Sequence, residues 1–175
     1  MSDQLSGGAA SGPLAVEVTV AIAAGAWAPP EKLEPLVGAA AGAVIAELDL
    51  RSGTRELGVT FTDDESIRAL NRQWRGQDKP TNVLSFPAFP DPAPDRIPPM
   101  LGDIVLAFET VRREAALDEK PFDHHLTHLL VHGLLHLLGY DHETDDDADH
   151  MEAAERRVLA RLGIADPYAA PDRSE

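Results

Sequence analysis

The segment from Phe122 to Leu138 limits what this chain can fold into more than any other, because it is strongly apolar and carries histidines at helical spacing. Leu126, Leu129, Leu130, Leu134, Leu135, Leu137 and Leu138 recur over successive turns, and no Lys or Arg occurs between Pro121 and Glu155. The run falls short of the roughly 20 apolar residues that span a bilayer, so it reads as a helix of a globular core. Gly139 follows at once and frees the backbone to leave the helix in a left-handed conformation. His132 and His136 stand four apart, which puts their Cβ atoms roughly 5–6 Å apart on one face. Two imidazoles at that separation can grip one cation. His142, three residues past Gly139, can return toward the same point as a third ligand. Three neutral imidazoles leave one tetrahedral position open for water, the arrangement of a catalytic zinc and not of a closed structural one. Leu134, Leu135, Leu137 and Leu138 supply a dry wall. His128, one turn before His132, is expected to support the ligands through a hydrogen bond. His124, His125 and His150 are expected at the surface.

The ligand types are also fixed by what is missing. The chain has no cysteine, which excludes disulfides and thiolate metal sites and suits a reducing cytoplasm. The apolar stretch Leu14–Ala28 resembles a secretory signal, yet no cation precedes it, the first being Lys32. Glu17 and Thr19 interrupt it, while Val16, Val18, Val20 and Ile22 alternate as in a half-buried strand. A cytoplasmic protein without a membrane span is expected. The formal net charge of −15 argues against loose nucleic-acid binding. Its distribution matters more: acids crowd Asp141–Glu155, and cations lie elsewhere.

The length of 175 residues suits one domain. We expect a Gly- and Ser-rich flexible tail at 1–13, one domain at 14–168, and a second flexible tail at 169–175. Strands are expected at Leu14–Ala23, Arg55–Thr62, Thr81–Phe86 and Leu101–Phe108. Helices are expected at Glu31–Asp49, from a capping box at Thr62–Glu65 through Trp74, at Glu109–Leu117, at Phe122–Leu138, and at Asp145–Leu162. Pro87–Pro99 is too rich in proline for a helix or inner strand and reads as an exposed loop. The order implies an α+β fold: one small, mostly parallel or mixed sheet covered by helices, with the metal-binding helix and turn near the C-terminus.

A second constellation is Arg68, Arg72, Arg75 and Lys79, at steps of four, three and four. Solvated stripes of this kind are common, and Asp63, Asp64, Glu65 and Asp78 are close by. In so acidic a chain, however, a local cationic row suits an anionic substrate, and Arg can bind phosphate bidentately. The histidine spacing is close to that of metzincin proteases, H-E-x-x-H-x-x-G-x-x-H. Their general base is replaced here by Gly133, whose cost inside a helix, ~1 kcal/mol relative to Ala, points to a need for space beside the metal.

The run His132-Gly133-Leu134-Leu135-His136-Leu137-Leu138-Gly139-Tyr140-Asp141-His142 is similar to the H-G-x-L-H-L-x-G-Y-D-H signature of the YbeY family of rRNA maturation endoribonucleases. Arg75 through Pro87 (RGQDKPTNVLSFP) looks like that family's second signature, and Leu101–Ile104, Met151-Glu152, Leu162-Gly163 and Pro167-Tyr168 also fit. The resemblance covers about Glu56 to Tyr168. It implies a zinc-dependent, single-strand-specific endoribonuclease, with one ion per chain and no nucleotide cofactor. The implied role is 16S rRNA 3′-end maturation and ribosome quality control, with rRNA and ribosomal particles as partners. It also implies a functional Arg ahead of the T-[DN]-V-L-S-F-P run, which here is Arg75. Arg68, Arg72 and Lys79 would then contact substrate. Asp141 is either a supporting acceptor or proton carrier beside His142, or a turn residue. Two other readings stay open. A metalloprotease would need a carboxylate poised as base, and a noncatalytic ribosome-assembly factor would show a fourth protein ligand closing a structural zinc site.

Overall fold

The computed structural model describes residues 12–89 and 97–169. The expected tails over 1–11 and 170–175, and the 90–96 part of the proline-rich loop, lie outside the described residues. Gly12 and Pro13, expected in the tail, are tied down: Ser52 donates its amide to the Gly12 carbonyl at 2.8 Å, and Pro13 bridges Arg51.

Four strands and five helices are found among the described residues: β1 (Ala15–Ile22), α1 (Pro30–Leu48), β2 (Thr54–Thr62), α2 (Asp64–Arg75), β3 (Val83–Pro87), β4 (Met100–Ala107), α3 (Phe108–Leu117), α4 (Phe122–Leu137) and α5 (Asp145–Arg161). The sheet order is β1-β2-β4-β3. β1, β2 and β4 run parallel, and β3 pairs antiparallel with β4 at the edge, Ser85 opposite Ile104. This is the expected α+β domain with a mixed sheet.

The alternation of β2 explains the layering. Leu57, Val59 and Phe61 are buried on one face. They join Leu33, Val37 and Val44 of α1, Leu126, Leu130 and Leu134 of α4, and Met151 and Val158 of α5 in the main core. On the other face a smaller cluster seats Ile67 of α2 against Leu84, Val105 and Ala107. The sheet edge β3 therefore has α2 on one side and α4 on the other.

Two boundaries differ from expectation for local reasons. The N-cap of α2 is Asp63, whose side chain accepts the Ser66 amide at 2.9 Å. Thr62 stays in β2, its carbonyl taken by the Trp27 indole at 2.8 Å, so the helix starts one residue later than a Thr62 capping box would place it. β3 begins at Val83, and Asn82 just before it already ties the chain to β4 and α3. Its carbonyl accepts the Ala107 amide at 3.1 Å, and its side chain reaches Glu114 at 3.0 Å.

Candidate metal centre

α4 is the only element that brings two of the expected ligands with it, and the turn after it brings the third. Leu138 ends the helix, Gly139 takes φ +103°, and the Tyr140 amide donates back to the Leu135 carbonyl at 3.0 Å. That reversal returns His142 to the helix face. One ring nitrogen from each of His132, His136 and His142 lies within 4.8 Å of the others. A tetrahedral zinc with bonds of roughly 2.0–2.1 Å would set its ligand nitrogens about 3.3 Å apart. The three rings would have to draw together on an ion, and His142, which is exposed, has the freedom to do so.

The donor chemistry fits a metal on two further grounds. His132 Nδ1 is 2.8 Å from Glu155 Oε2, and His136 Nδ1 is 3.0 Å from the Tyr140 carbonyl oxygen. Each acceptor fixes the proton on Nδ1 and leaves the Nε2 lone pair free for coordination. Burial, followed by the adjacent His132 and His142, lowers the pKa of His136 to about 4, so it is neutral at pH 7. Among the described residues no fourth His, Cys, Asp or Glu joins the three. An open site of this composition is what metal-assisted hydrolysis requires.

Glu155 was not singled out from the sequence. It is fully buried, 0% exposed, under α4. Its Oε1 faces His128 Nε2 at 2.7 Å and accepts the Tyr168 hydroxyl at 2.5 Å, while Oε2 faces His132. Burial is the largest influence on this carboxyl and opposes its ionisation. Hydrogen bonds from His128 and His132 outweigh it and hold the pKa at about 2. Tyr168 is pushed well above the usual phenol value, by burial first and then by its bond to Glu155. His128 is thus engaged by Glu155 and lies outside the convergent trio.

A cavity of about 710 Å³ opens over the three imidazoles, with Arg75, Val83, Ser85, Pro87, Tyr140, Asp141 and Glu143 in its walls. Arg75 donates to the Ser85 carbonyl at 2.7 Å and lies 5.4 Å from the centre of the Phe86 ring. Of the cationic row, Arg75 alone lines this cavity. Arg68 is instead paired with Asp78 at 2.9 Å, and Arg72 and Lys79 sit exposed outside it. Asp141 is in the wall, but its Oδ1 accepts the Glu143 amide at 3.2 Å, a turn contact.

Two expectations need correction. His125 is buried, 6% exposed, because Glu114 of α3 meets its Nε2 at 2.8 Å; His124 and His150 are exposed as expected. Gly133 faces the sheet and not an open space by the metal. A Cβ there would sit 3.1 Å from both Ile104 Cγ2 and Ser85 Oγ. The glycine lets α4 approach β4 and β3 closely, and any larger residue here would press its Cβ on the Ile104 and Ser85 side chains.

The family model described as Endoribonuclease YbeY matches residues 26–163 of this chain. The protein named Endoribonuclease YbeY from Rhizobium meliloti (strain 1021) is 58% identical over 161 residues, covering 88% of this chain and 95% of that protein. One of the same name from Nitrobacter hamburgensis is 53% identical over 157 residues, covering 88% and 83%. The solution structure of TM1509 from Thermotoga maritima superposes with a TM-score of 0.53 at 26% identity, over 91% of this chain and 99% of that one.

Proposed function

Because this chain belongs to the Endoribonuclease YbeY family, we propose that it is a zinc-dependent, single-strand-specific endoribonuclease that hydrolyses RNA phosphodiester bonds. Its substrates are rRNA and ribosomal particles in the cytoplasm, where it matures the 3′ end of 16S rRNA and takes part in ribosome quality control. One zinc per chain is held by His132, His136 and His142, and residues 14–168 act as one catalytic domain. The observation that carries this reading is that an Arg and three convergent imidazoles share one cavity.

When bound, zinc supplies Lewis acidity and lowers the pKa of water from 15.7 to about 7. The protein's own groups do the rest. Glu155 and the Tyr140 carbonyl orient His132 and His136. Arg75 has no carboxylate partner among the described residues, only the Ser85 carbonyl and the Phe86 ring. Its charge is therefore free to bind a phosphoryl oxygen and to stabilise negative charge as it develops there. Val83, Leu84 and Pro87 form the apolar part of the cavity wall. The peptide-hydrolysing arrangement lacks support, since position 133, where a metzincin protease carries its general base, is a glycine with no carboxylate to offer.

The test is metal analysis of the purified protein, with cleavage assays on single-stranded RNA, double-stranded RNA and denatured casein. Zinc near one per chain and cleavage of single-stranded RNA alone is the expected result. Zinc-dependent proteolysis with RNA left intact would overturn the assignment and spare the metal site. A protein inactive on all three substrates yet bound to ribosomal particles would favour an assembly factor.

A further inference from the structure

Beside the metal cavity, on the outside of the β3 edge, lies an aromatic and cationic surface that shares only Arg75 with the hydrolytic centre. Trp74, in the last turn of α2, is 59% exposed although its indole is among the largest apolar groups in the chain. One edge of it rests on Phe86, with ring centroids 6.3 Å apart and planes at 69°. Arg75 covers the same Phe86 ring at 5.4 Å. The other indole, Trp27, is half-buried and boxed in by Phe61, Phe108 and Phe122. Trp74 has no such enclosure.

The charge around Trp74 is equally uneven. Arg51, Arg68, Arg113, Lys120, Arg156, Arg157 and Arg161 each form an ion pair with a carboxylate. Among the described residues six cations form none: Lys32, Arg55 and Arg112, which are dispersed along the chain, and Arg72, Arg75 and Lys79, which are all within a few residues of Trp74. In a chain of net charge −15, this is a local surplus of positive charge around a bare aromatic face. Single-stranded nucleic acid is held by that combination: cations follow the phosphates, and aromatic rings stack on bases that no complementary strand covers.

We infer that Trp74, braced by Phe86 and flanked by Arg72, Arg75 and Lys79, is a stacking subsite for one unpaired nucleobase of the substrate strand, next to the phosphate that Arg75 meets in the metal cavity. The inference rests on the RNA-cleaving reading above and gives a physical source for a single-strand preference. A base inside a duplex is covered on both faces and cannot reach the indole. Because Arg75 touches both Phe86 and the cavity, the stacked base belongs to a nucleotide adjoining the cleaved bond.

The experiment uses the zinc-loaded full chain and a set of short single-stranded oligoribonucleotides, each with an abasic residue at a different position. Binding is followed by anisotropy of an end label and by quenching of intrinsic tryptophan emission. Trp74→Ala should weaken binding of the intact strand about five- to 150-fold, the range expected of base–aromatic stacking, and Trp74→Phe should restore most of it. One abasic position should weaken binding to the wild type and have no further effect on Trp74→Ala. Emission should be quenched in the wild type and not in Trp74→Phe. Far-UV circular dichroism on each variant verifies folding, which an exposed residue should leave intact. If the wild type binds and cleaves the strand and Trp74→Ala does so equally well, the subsite is overturned and the nuclease reading stands. If the wild type binds no RNA, both fall.

Discussion

Glu155→Gln is the substitution whose outcome is most tightly constrained by the structure. The carboxylate is completely buried and meets three donors, at 2.7 Å (His128), 2.8 Å (His132) and 2.5 Å (Tyr168). Holding a carboxyl from its ordinary 4.5 down to about 2 corresponds to about 3 kcal/mol at 1.36 kcal/mol per pH unit. Breaking a buried charged arrangement by removing one partner costs ~3–5 kcal/mol, the same size by a separate route. The folded-state pKa is depressed, so this stability is fully present above about pH 4.5 and is lost as the pH falls toward 2. Gln keeps the shape but turns an amide N–H toward one of the donors. If His132 has to accept that N–H at Nδ1, its proton moves to Nε2 and removes the lone pair a metal needs. Loss of such a supporting partner typically costs 10–100-fold in metal affinity. The assays are urea unfolding of metal-free protein between pH 7 and pH 3, and zinc competition against a chromogenic chelator. The variant should be less stable by about 3 kcal/mol at pH 7, should show a flatter acid limb, and should bind zinc at least tenfold more weakly. Stability within ~0.5 kcal/mol of wild type, the scatter of an inconsequential substitution, together with unchanged zinc affinity, would refute the reasoning.

Tyr168→Phe removes one donor to Glu155 and nothing from the cavity, so a thermal melt should show a loss of about 1–2 kcal/mol. His136→Ala should lose most bound metal by elemental analysis while remaining folded, and full retention would remove the three-histidine site. Arg75→Ala should change the melt by no more than ~0.5 kcal/mol, because its contacts are one carbonyl and one ring face. Its RNA-cleavage rate should fall by about 10²–10³-fold, the effect of losing a donor to transition-state charge, and an unchanged rate would return it to the ordinary surface.

The metal trio was legible because it is local. His132, His136 and His142 are tied by a helical step and a glycine turn, both of which act over a few residues. Glu155 was not legible by spacing, because its contact with His132 depends on how α5 crosses α4, 23 positions away in sequence. A signal for it did exist. Met151, Ala154, Val158 and Leu159 form the buried stripe of α5, and Glu155 falls within that stripe, where an acid can stand only with partners. His125 carried the same kind of signal, being next to Leu126 on the core side of α4. The Arg68-to-Lys79 row shows the opposite limit. Its periodicity was correct, but Arg68 turned back to Asp78, a pairing across the α2–β3 connection that helical spacing does not reveal. Gly133 was read as room for the metal when the neighbour that needs the room is Ile104.

The two walls of the cavity are built by different physics, and their substitutions should sort accordingly. The α4 wall is held by the core: His132 leans on a carboxylate with no solvent exposure, and that carboxylate is bound in turn by Tyr168 beyond the end of α5. Metal affinity there cannot be separated from stability, since the bonds that orient the imidazole are also those that keep a buried charge satisfied. The α2–β3 wall is a sheet edge and a helix end, with Arg75 and Trp74 reaching into solvent. Little folding energy is stored in those side chains, so they can be exchanged with small effect on the melt while substrate binding changes severalfold. A rigid metal grip and an adaptable strand grip are what an open cleft needs to hold a flexible polymer against a fixed ion. Under the proposed function the fold would supply both, with its buried helix on one side of β3 and an exposed helix end on the other.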